Sequence, residues 1–232
     1  LVAVSSVRYD TGTRLDLERI GRACRNHGAL LAVDAIQHLG AVPLDVSALP
    51  VDFVVAGSHK WLLAPEGLAV FWSSPAARAR LRPTQAGWRM WPDMFDFARC
   101  DWSIPDSARR FEPGTLNTAG IQALLASVSL LLELGELERA DALERNVDRL
   151  ADGLASIDGV RVVTPLDPAR RAGIVTFEAE GLEPAKTVRA LRERDVFCAD
   201  RGHGIRLSPH CYTPPGQLDR ALEAIADLLG RS

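Results

Sequence analysis

Two short apolar runs of the sequence are each followed by polar residues with reactive or hydrogen-bonding side chains. The run ALLAV ends at Asp34, with Gln37 three residues later. The run VDFVVAG is followed by Ser58, His59 and Lys60. An amine held beside an apolar strand end loses hydration, which lowers its pKa and makes it a nucleophile suited to Schiff-base formation. If the two strands are parallel, a carboxylate, an amide, an imidazole and an amine converge at one sheet edge.

Taken singly, these side chains also have ordinary structural uses. An Asp after a buried strand commonly caps a helix or forms a turn, and a lone Lys is usually a solvated surface charge. The combination indicates chemistry, because it places four different functional groups after two strands that we expect to lie in one sheet.

The elements that must position these groups alternate in the way that a helix-covered parallel sheet requires. Short apolar runs predict strands at residues 1–7, 29–33, 51–56 and 68–72. Residues 16–26 place apolar side chains on one helical face, and Gly28 follows as a stop signal. This segment is predicted to be a crossover helix, so the fold class is α/β.

The later part of the chain has a different pattern. Residues 83–113 contain several tryptophans, among them Trp102, and have no sustained period, so we predict a long irregular segment. From Gly120 a stripe of leucines predicts two long helices or one bent helix. Beyond Gly159 we expect a small α+β unit, with strands at residues 160–164, 174–178, 196–199 and 205–208 and helices at 184–194 and 216–229.

Three stretches of the sequence resemble the pyridoxal-phosphate enzymes of the class V aminotransferase family, which includes the cysteine desulfurases. They are VDAIQHLGAVPLDVSALPVDFVVAGSHKWLLAPEGLAVFW, RFEPGTLNTAGIQAL and GIRLSPHCYTPPGQLDRAL, in family order and at compatible spacings. The resemblance implies a fold of the aspartate aminotransferase type, a three-layer α/β domain with a smaller carboxyl-terminal α+β domain. We expect the large domain at residues 1–135, and the connecting helix and small domain at residues 136–232.

The resemblance also implies that a further amino-terminal part precedes Leu1. The sequence opens without a methionine, in the apolar run LVAVSSV. Family members carry a phosphate-binding loop and a residue that stacks on the cofactor before the part seen here. We therefore expect one wall of the site to lie upstream, and one alternative to a working enzyme is a truncated chain that is inactive by itself.

Three residues match family positions that act on the cofactor ring. By resemblance, Lys60 is the lysine that holds pyridoxal 5′-phosphate as a Schiff base and moves the Cα proton of the substrate. Asp34 matches the carboxylate that keeps the pyridine nitrogen protonated. Gln37 matches the amide that donates to the phenolic oxygen of the cofactor.

Further matches concern the phosphate and the substrate carboxylate. Ser58 and His59 stand where the family places phosphate ligands, although many members carry the hydroxyl one residue earlier, where this chain has Gly57. Arg206 matches the arginine that clamps the substrate α-carboxylate, a task suited to a planar bidentate donor.

Thr115 resembles the family threonine that reaches the phosphate of the neighbouring subunit's cofactor. That match implies a homodimer with shared active sites. Alternatively, Thr115 or Asn117 caps the helix that follows, and both roles are compatible because a helix amino end also favours phosphate.

The lead interpretation is a class V aminotransferase-like enzyme that acts on an amino acid or amine through a Lys60 Schiff base. Cysteine desulfurase is the alternative, and lyase or epimerase chemistry stays open. A desulfurase needs a mobile thiolate, and Cys198 is the cysteine nearest to Arg206, but the run DVFCAD favours an inert buried thiol. His210 and Cys211 are not expected to form a nucleophile pair, because adjacent residues on a strand point to opposite faces.

The composition limits the other kinds of partner. The 232 residues include 30 acidic and 27 basic side chains, a net charge of -3 that argues against nucleic-acid binding. The longest apolar stretch, residues 121–134, is shorter than the roughly 20 residues that span a bilayer, so no membrane partner is expected. Four widely spaced cysteines without a CxxC pair indicate neither a disulfide framework nor a metal site. No secretion-signal pattern opens the sequence, which leads us to expect a cytoplasmic protein.

Overall fold

A four-stranded sheet at the start of the chain carries the two polar strand ends. The computed structural model describes residues 1–91, 93–96, 98, 103–202 and 204–230. The sheet consists, in this order, of β1 (Val2–Ser5), β2 (Leu31–Asp34), β3 (Phe53–Gly57) and β4 (Ala69–Ser73). The first three strands run parallel, and β4 pairs antiparallel with β3. Asp34 and Lys60, at the carboxyl ends of β2 and β3, therefore lie at the same edge.

Helix α1 (Leu17–Asn26) makes the crossover from β1 to β2 and packs in one buried cluster with side chains of β2 and β3. Asp16 caps the helix, because its side chain accepts a hydrogen bond from the Arg19 N–H at 2.9 Å. Gly21 lies so close to Pro50 that a Cβ would stand 2.4 Å from the Pro50 carbonyl oxygen. The helix lies this close to the segment before β3 because this position has no side chain.

Two long helices connect the first sheet to the rest of the chain. After β4 come α2 (Pro75–Arg80) and an irregular segment with 3₁₀ turns at Trp88–Met90 and Ala108–Phe111. Trp102 lies outside the described residues. Helices α3 (Thr118–Glu133) and α4 (Glu136–Ala155) then meet at an angle of 83°. Gly135, with a φ of 82°, separates them, so the two-helix alternative is the one observed.

None of the helices that the structure describes is by itself long and apolar enough to cross a membrane. Helices α3 and α4 meet the criteria of length and composition only when taken together, across their 83° bend.

A second four-stranded sheet forms the carboxyl-terminal part. Its strands are β5 (Val160–Val162), β6 (Val175–Ala179), β7 (Ala199–Arg201) and β8 (Gly204–Leu207), and the spatial order is β5-β6-β8-β7. All neighbours pair antiparallel. Helices α5 (Pro184–Arg192) and α6 (Pro215–Leu228) complete this part. Strands and helices thus occur in this region as the sequence predicts, and a separate small α+β domain stays a prediction.

The largest buried cluster surrounds the second sheet. It joins the inner faces of β6 and β8 to the buried stripe of α4, for example Phe177, Ile205 and Leu150, all at most 2% exposed. The same cluster includes Ala41 and Trp61 from the first part of the chain. The expected division between residues 135 and 136 stays a prediction, and the packing crosses it.

The segment that follows β1 holds the two sheets together. The hydroxyl of Thr176 on β6 donates to the Asp10 carbonyl oxygen at 2.5 Å, and the Thr164 hydroxyl donates to the Thr11 carbonyl oxygen at 2.7 Å. Gly12 turns the segment with a φ of 71°, and a Cβ there would stand 2.4 Å from the Ile174 carbonyl oxygen. These contacts hold the segment after β1, at one side of the first sheet, against β6.

The structure shifts one predicted strand along the chain. Residues 196–199 are expected to form a strand, but β7 begins at Ala199 and ends at Arg201. The N–H of Val196 instead donates to the Leu191 carbonyl oxygen of α5, and Asp195 has a positive φ of 58°. Val196 and Cys198 therefore pack against the core at the end of the helix, Phe197 is exposed, and the more polar residues 199–201 pair with β8.

A buried histidine makes the stability of the fold depend on pH. His38 is 1% exposed, and its Nε2 lies 3.1 Å from the Pro43 carbonyl oxygen. Because a carbonyl only accepts, Nε2 carries the hydrogen, and Nδ1 is a buried atom without a hydrogen-bond partner. Burial lowers the pKa of His38 from 6.5 to about 4, with a further lowering by Arg14. The imidazole is therefore neutral in the folded protein at neutral pH.

We expect the free energy of unfolding to fall as the pH drops from 6.5 to 4, because the unfolded state then binds a proton at His38 that the folded state does not. The loss from this residue alone is about 3 kcal/mol by pH 4. Chemical denaturation of His38→Gln, which keeps a donor for Pro43, should show a shallower pH slope than the wild type. His27→Gln, at an exposed imidazole, is the control, and equal slopes for all three proteins would contradict the assignment.

Candidate active site

Lys60 lies partly buried in the turn after β3. Burial lowers the pKa of its amine below the usual 10.5, and Arg206 and Arg201 lower the pKa further. The carboxylate of Asp34 acts in the opposite direction and raises this pKa. Asp34 ends β2, which pairs with β3. The structure thus brings the amine and the carboxylate of the two polar strand ends into electrostatic contact, with Arg206 from the second sheet.

Asp34 is held in place by its own backbone neighbours. Its Oδ1 accepts a hydrogen bond from the Ile36 N–H at 2.9 Å, and its carbonyl oxygen accepts one from the Ser6 N–H at 2.9 Å. Within the described part of the chain, Oδ2 has no hydrogen-bond donor. One carboxylate oxygen is therefore used to orient the side chain, and the other is available to a ligand.

Gln37 is 5% exposed and has a defined orientation. The indole N–H of Trp61 lies 3.1 Å from Gln37 Oε1. An indole nitrogen can only donate, so the side-chain oxygen of Gln37 must face Trp61 and its NH₂ group must point away from that contact. The amide is therefore oriented as a donor.

Trp61, which directly follows Lys60, packs against both halves of the structure. Its ring stacks on His210 at a centroid distance of 5.3 Å. A Cβ at Gly173 would stand 2.2 Å from the Trp61 ring, and a Cβ at Gly40 would stand 2.5 Å from the Trp61 carbonyl oxygen. These close approaches fix the residue next to the lysine. The sequence motif GSHKW contains this tryptophan, but only the fold shows what it contacts.

The two predicted phosphate ligands beside Lys60 differ in where they point. His59 is exposed, and a Cβ at Gly57 would stand 3.1 Å from its ring, so the imidazole lies over the end of β3. Ser58 is fully buried, and its hydroxyl lies 2.7 Å from the Pro65 carbonyl oxygen and 2.9 Å from that of Leu68. The Ser58 hydroxyl donates to the following loop, which leaves it no hydrogen for a phosphate oxygen.

Arg206 reaches the site from β8, and its guanidinium is only partly used. Nη1 donates to the Tyr9 carbonyl oxygen at 2.7 Å. Nε is buried and has no hydrogen-bond partner among the described residues. Burial is also the main reason that the pKa of Arg206 is lowered. The edge formed by Nε and Nη2 is therefore free to bind a planar anion side by side, as a carboxylate binds to arginine.

Thr115 does not join this group. It is exposed three residues before α3 and makes no hydrogen bond to another described residue. Asn117 is the helix cap, since its side chain accepts a hydrogen bond from the Gly120 N–H at 2.9 Å. The capping alternative thus applies to Asn117 and leaves the hydroxyl of Thr115 without a structural role in this chain.

The described cysteines are buried or partly buried. Cys24, on the buried face of α1, is 5% exposed. Burial raises the pKa of Cys198 and of Cys211, and both pack against the core of the second sheet. Cys100 lies outside the described residues.

The expectation that His210 and Cys211 point apart is wrong. Both residues lie beyond the end of β8, in a turn, where strand alternation does not apply. Cys211 Sγ is 3.2 Å from His210 Nδ1. However, burial lowers the pKa of His210 to about 4, so the imidazole is neutral at pH 7 and does not stabilise a thiolate.

Gly173→Ala tests how tightly Trp61 is held. The new methyl group would overlap the Trp61 ring, which the Gln37 hydrogen bond and the His210 stack prevent from moving away. We expect a loss of about 1–3 kcal/mol in the free energy of unfolding, as for overpacked cores, together with a change in tryptophan fluorescence. Gly216→Ala, where a Cβ meets only a side-chain atom at 3.9 Å, should lose no stability. Equal stability of the two variants would refute this description of the contact.

Comparison with solved structures agrees with the α/β fold predicted from sequence. A complex of the cystine C-S lyase C-DES with cysteine persulfide superposes with a TM-score of 0.88 at 27% identity, covering 97% of this chain and 60% of that one. The apo structure of a cysteine desulfurase from Thermococcus onnurineus NA1 gives 0.87 at 24% identity, covering 98% and 59%.

Sequence relatives have several different activities in their names. A probable cysteine desulfurase from Methanothermobacter thermautotrophicus is 30% identical over 214 residues, which are 92% of this chain and 51% of that protein. The uncharacterized aminotransferase YcbU of Bacillus subtilis is 30% identical, covering 97% and 59%. The isopenicillin N epimerase of Amycolatopsis lactamdurans is 29% identical, covering 98% and 60%. The chain thus spans between half and three fifths of the length of these relatives.

The family comparison covers nearly the whole chain. The model of the family described as Aminotransferase class-V matches residues 1–214, which include every residue of the site described above. The chain therefore belongs to the class V aminotransferase family.

Proposed function

We propose that this chain forms part of a pyridoxal-phosphate-dependent enzyme that acts on an amino acid or amine, with Lys60 binding the cofactor covalently. The observation that carries the proposal is the partly buried amine of Lys60, whose pKa is lowered by burial and by Arg206 and raised by the carboxylate of Asp34. Support also comes from a solved C-DES variant, 26% identical, in which glycine is covalently linked to the PLP cofactor.

The donors and acceptors around Lys60 fit this cofactor. Asp34 offers a free carboxylate oxygen to a protonated ring nitrogen, and Gln37 offers an oriented NH₂ group to the phenolic oxygen. His59, whose ring lies over the end of β3, would donate to the phosphate. When bound, pyridoxal phosphate supplies an electron-accepting ring for the electron pair released at Cα of the substrate.

The protein's own contribution is to orient the substrate and to move a proton. The free Nε and Nη2 edge of Arg206 binds the α-carboxylate, which also satisfies the buried Nε. Lys60 Nζ takes the Cα proton, a task that favours an amine with a lowered pKa because more of it is unprotonated at neutral pH. Trp61 keeps the lysine turn in place through its contacts with Gln37 and His210.

Transamination is the reaction that we favour, and desulfuration is the second candidate because of the similarity to probable cysteine desulfurases. Desulfuration requires a thiolate that can attack the substrate sulfur. Among the described residues, Cys24 is buried, and Cys198 and Cys211 have pKa values raised by burial. The environment of these three thiols therefore counts against desulfuration.

We further propose that the protein works as a homodimer in which Thr115 contacts the cofactor phosphate of the partner subunit. Two features support this. Thr115 is exposed and free of hydrogen bonds to other described residues. The neighbouring helix α3 exposes Leu125, Leu130 and Leu132, each with at least half of its surface open, which is unusual for a monomer.

The lysine content of the chain gives a direct test of cofactor attachment. The sequence contains two lysines, Lys60 and Lys186. We expect the protein to develop a visible absorption band when pyridoxal phosphate is added, and borohydride reduction to fix the cofactor to the peptide that contains Lys60. Lys60→Ala should abolish both signals. Lys186→Ala, at an exposed lysine on α5 that pairs with Glu183, should keep them, and an unchanged spectrum in Lys60→Ala would refute the proposal.

Sulfide release from cysteine separates the two candidate reactions. We expect the protein with pyridoxal phosphate to release no more sulfide than Lys60→Ala, because burial raises the pKa of Cys198 and of Cys211 and Cys24 is buried. Release by the wild type that is lost in Cys198→Ser or Cys211→Ser would identify a reactive thiol and favour desulfuration. Cys24→Ser is the control for a cysteine buried away from the site.

A further inference from the structure

The face of the second sheet that is turned toward Lys60 carries two arginines. In the β7-β8 hairpin, Ala199 stands opposite Arg206, and Arg201 stands opposite Gly204. Side chains two residues apart on a strand share a face, so Arg201 and Arg206 lie on the same face as diagonal neighbours. Such neighbours are about 7–8 Å apart, within reach of long side chains.

The rest of the sheet confirms which face this is. Ile205 and Leu207 on β8 are buried in the core beneath the helices, so Arg206 between them points the other way. Thr176, which stands opposite Arg206 on β6, donates to the Asp10 carbonyl oxygen of the first part of the chain. Both arginines therefore face the first sheet and its lysine turn. In agreement, both lower the pKa of Lys60.

No carboxylate of the described residues neutralises these two arginines. Asp10, next to the residue that holds Arg206, binds Arg8 through both oxygens, at 2.9 and 2.5 Å. Asp200 stands opposite Ile205 and therefore lies on the other face of the hairpin. Arg201 is exposed, and its hydrogen bond in the described structure is a local one, from Nη1 to the Asp200 carbonyl oxygen at 2.8 Å.

The charges at the site are thus out of balance. Lys60, Arg201 and Arg206 face one carboxylate, that of Asp34. The α-carboxylate of a substrate would compensate Arg206, whereas no carboxylate among the described residues compensates the guanidinium of Arg201. A guanidinium with free donors beside a substrate site is suited to a planar anion.

We propose that Arg201 binds a second carboxylate, on the substrate side chain, so that the site selects dicarboxylic amino acids over monocarboxylic ones. This inference rests on the proposed function, because it takes Arg206 as the ligand of the α-carboxylate. Arg201 acts as a specificity-determining residue, and the hairpin register sets its distance from Arg206.

Calorimetric titration with glutarate and butyrate tests the inference, since the two acids differ in the second carboxylate. We expect wild-type protein to bind glutarate about 10-fold or more tightly than butyrate, the range for one charge-assisted contact. Arg201→Gln should lose this preference while butyrate binding changes less than about 2-fold. Arg206→Gln should weaken both ligands. Arg201→Lys, which keeps the charge, should retain part of the preference.

The matched control is Arg194→Gln. Arg194 is also exposed, and its Nη1 also donates to a backbone carbonyl oxygen, that of Ala190 at 3.0 Å. If the glutarate preference depended only on overall positive charge, Arg194→Gln would lower it as much as Arg201→Gln, and that result would overturn the inference. Equal weakening of glutarate binding and butyrate binding in Arg201→Gln would also overturn it. Weaker uptake of pyridoxal phosphate in Arg201→Gln with an intact glutarate preference would assign Arg201 to the cofactor instead and would also overturn it.

Failure of the proposed function would look different. A wild-type protein that prefers glutarate through Arg201, but gives no Lys60-dependent absorption band, would keep the dicarboxylate site and refute the cofactor assignment. A normal absorption band without any glutarate preference would refute only the role of Arg201.

Discussion

The position of Lys60 depends on the indole ring that follows it. The indole N–H of Trp61 donates to Gln37, which follows β2, and the ring stacks on His210, which follows β8. The same ring occupies the space beside Gly173, where a side chain would collide with it. Its side chain is 6% exposed and belongs to the core of the second sheet, although its backbone belongs to the turn after β3. Any relative movement of the two sheets would therefore move the lysine turn, and any disturbance of this ring would reach both sheets.

The second constraint is electrostatic. The edge of a parallel sheet collects polar residues, but among the described residues that act on the charge of Lys60 the positive groups Arg201 and Arg206 outnumber the carboxylate of Asp34. Such an arrangement costs stability when no anion is bound, since like charges repel and the amine is partly desolvated. The buried Nε of Arg206 adds to that cost. An anionic ligand would compensate this excess of positive charge. Burial and the nearby arginines also lower the pKa of the Lys60 amine.

Much of the architecture could be predicted from local patterns. The strands after residues 28 and 50, the crossover helix α1 and the helices α5 and α6 agree with prediction within a few residues, because each has a clear apolar period and a turn or cap residue at its end. The strand expected at residues 196–199 was misplaced, since Val196 packs at the end of α5 and the residues that pair with β8 include Asp200 and Arg201. Which residues of a strand pair depends on a partner strand that is distant in sequence. The local hydrophobic pattern therefore does not predict the pairing.

For the site, the sequence alone determined the residue types and their order: an acid and an amide after one strand, an imidazole and an amine after the next, and an arginine near the carboxyl end. It could not determine that the Ser58 hydroxyl turns to the following loop, that Cys211 lies beside His210, or that Arg201 shares a face with Arg206. Those facts depend on side-chain direction and on strand register, which arise only when segments far apart in the chain pack together. The tertiary structure therefore decided which of the predicted groups face the lysine, and with what net charge.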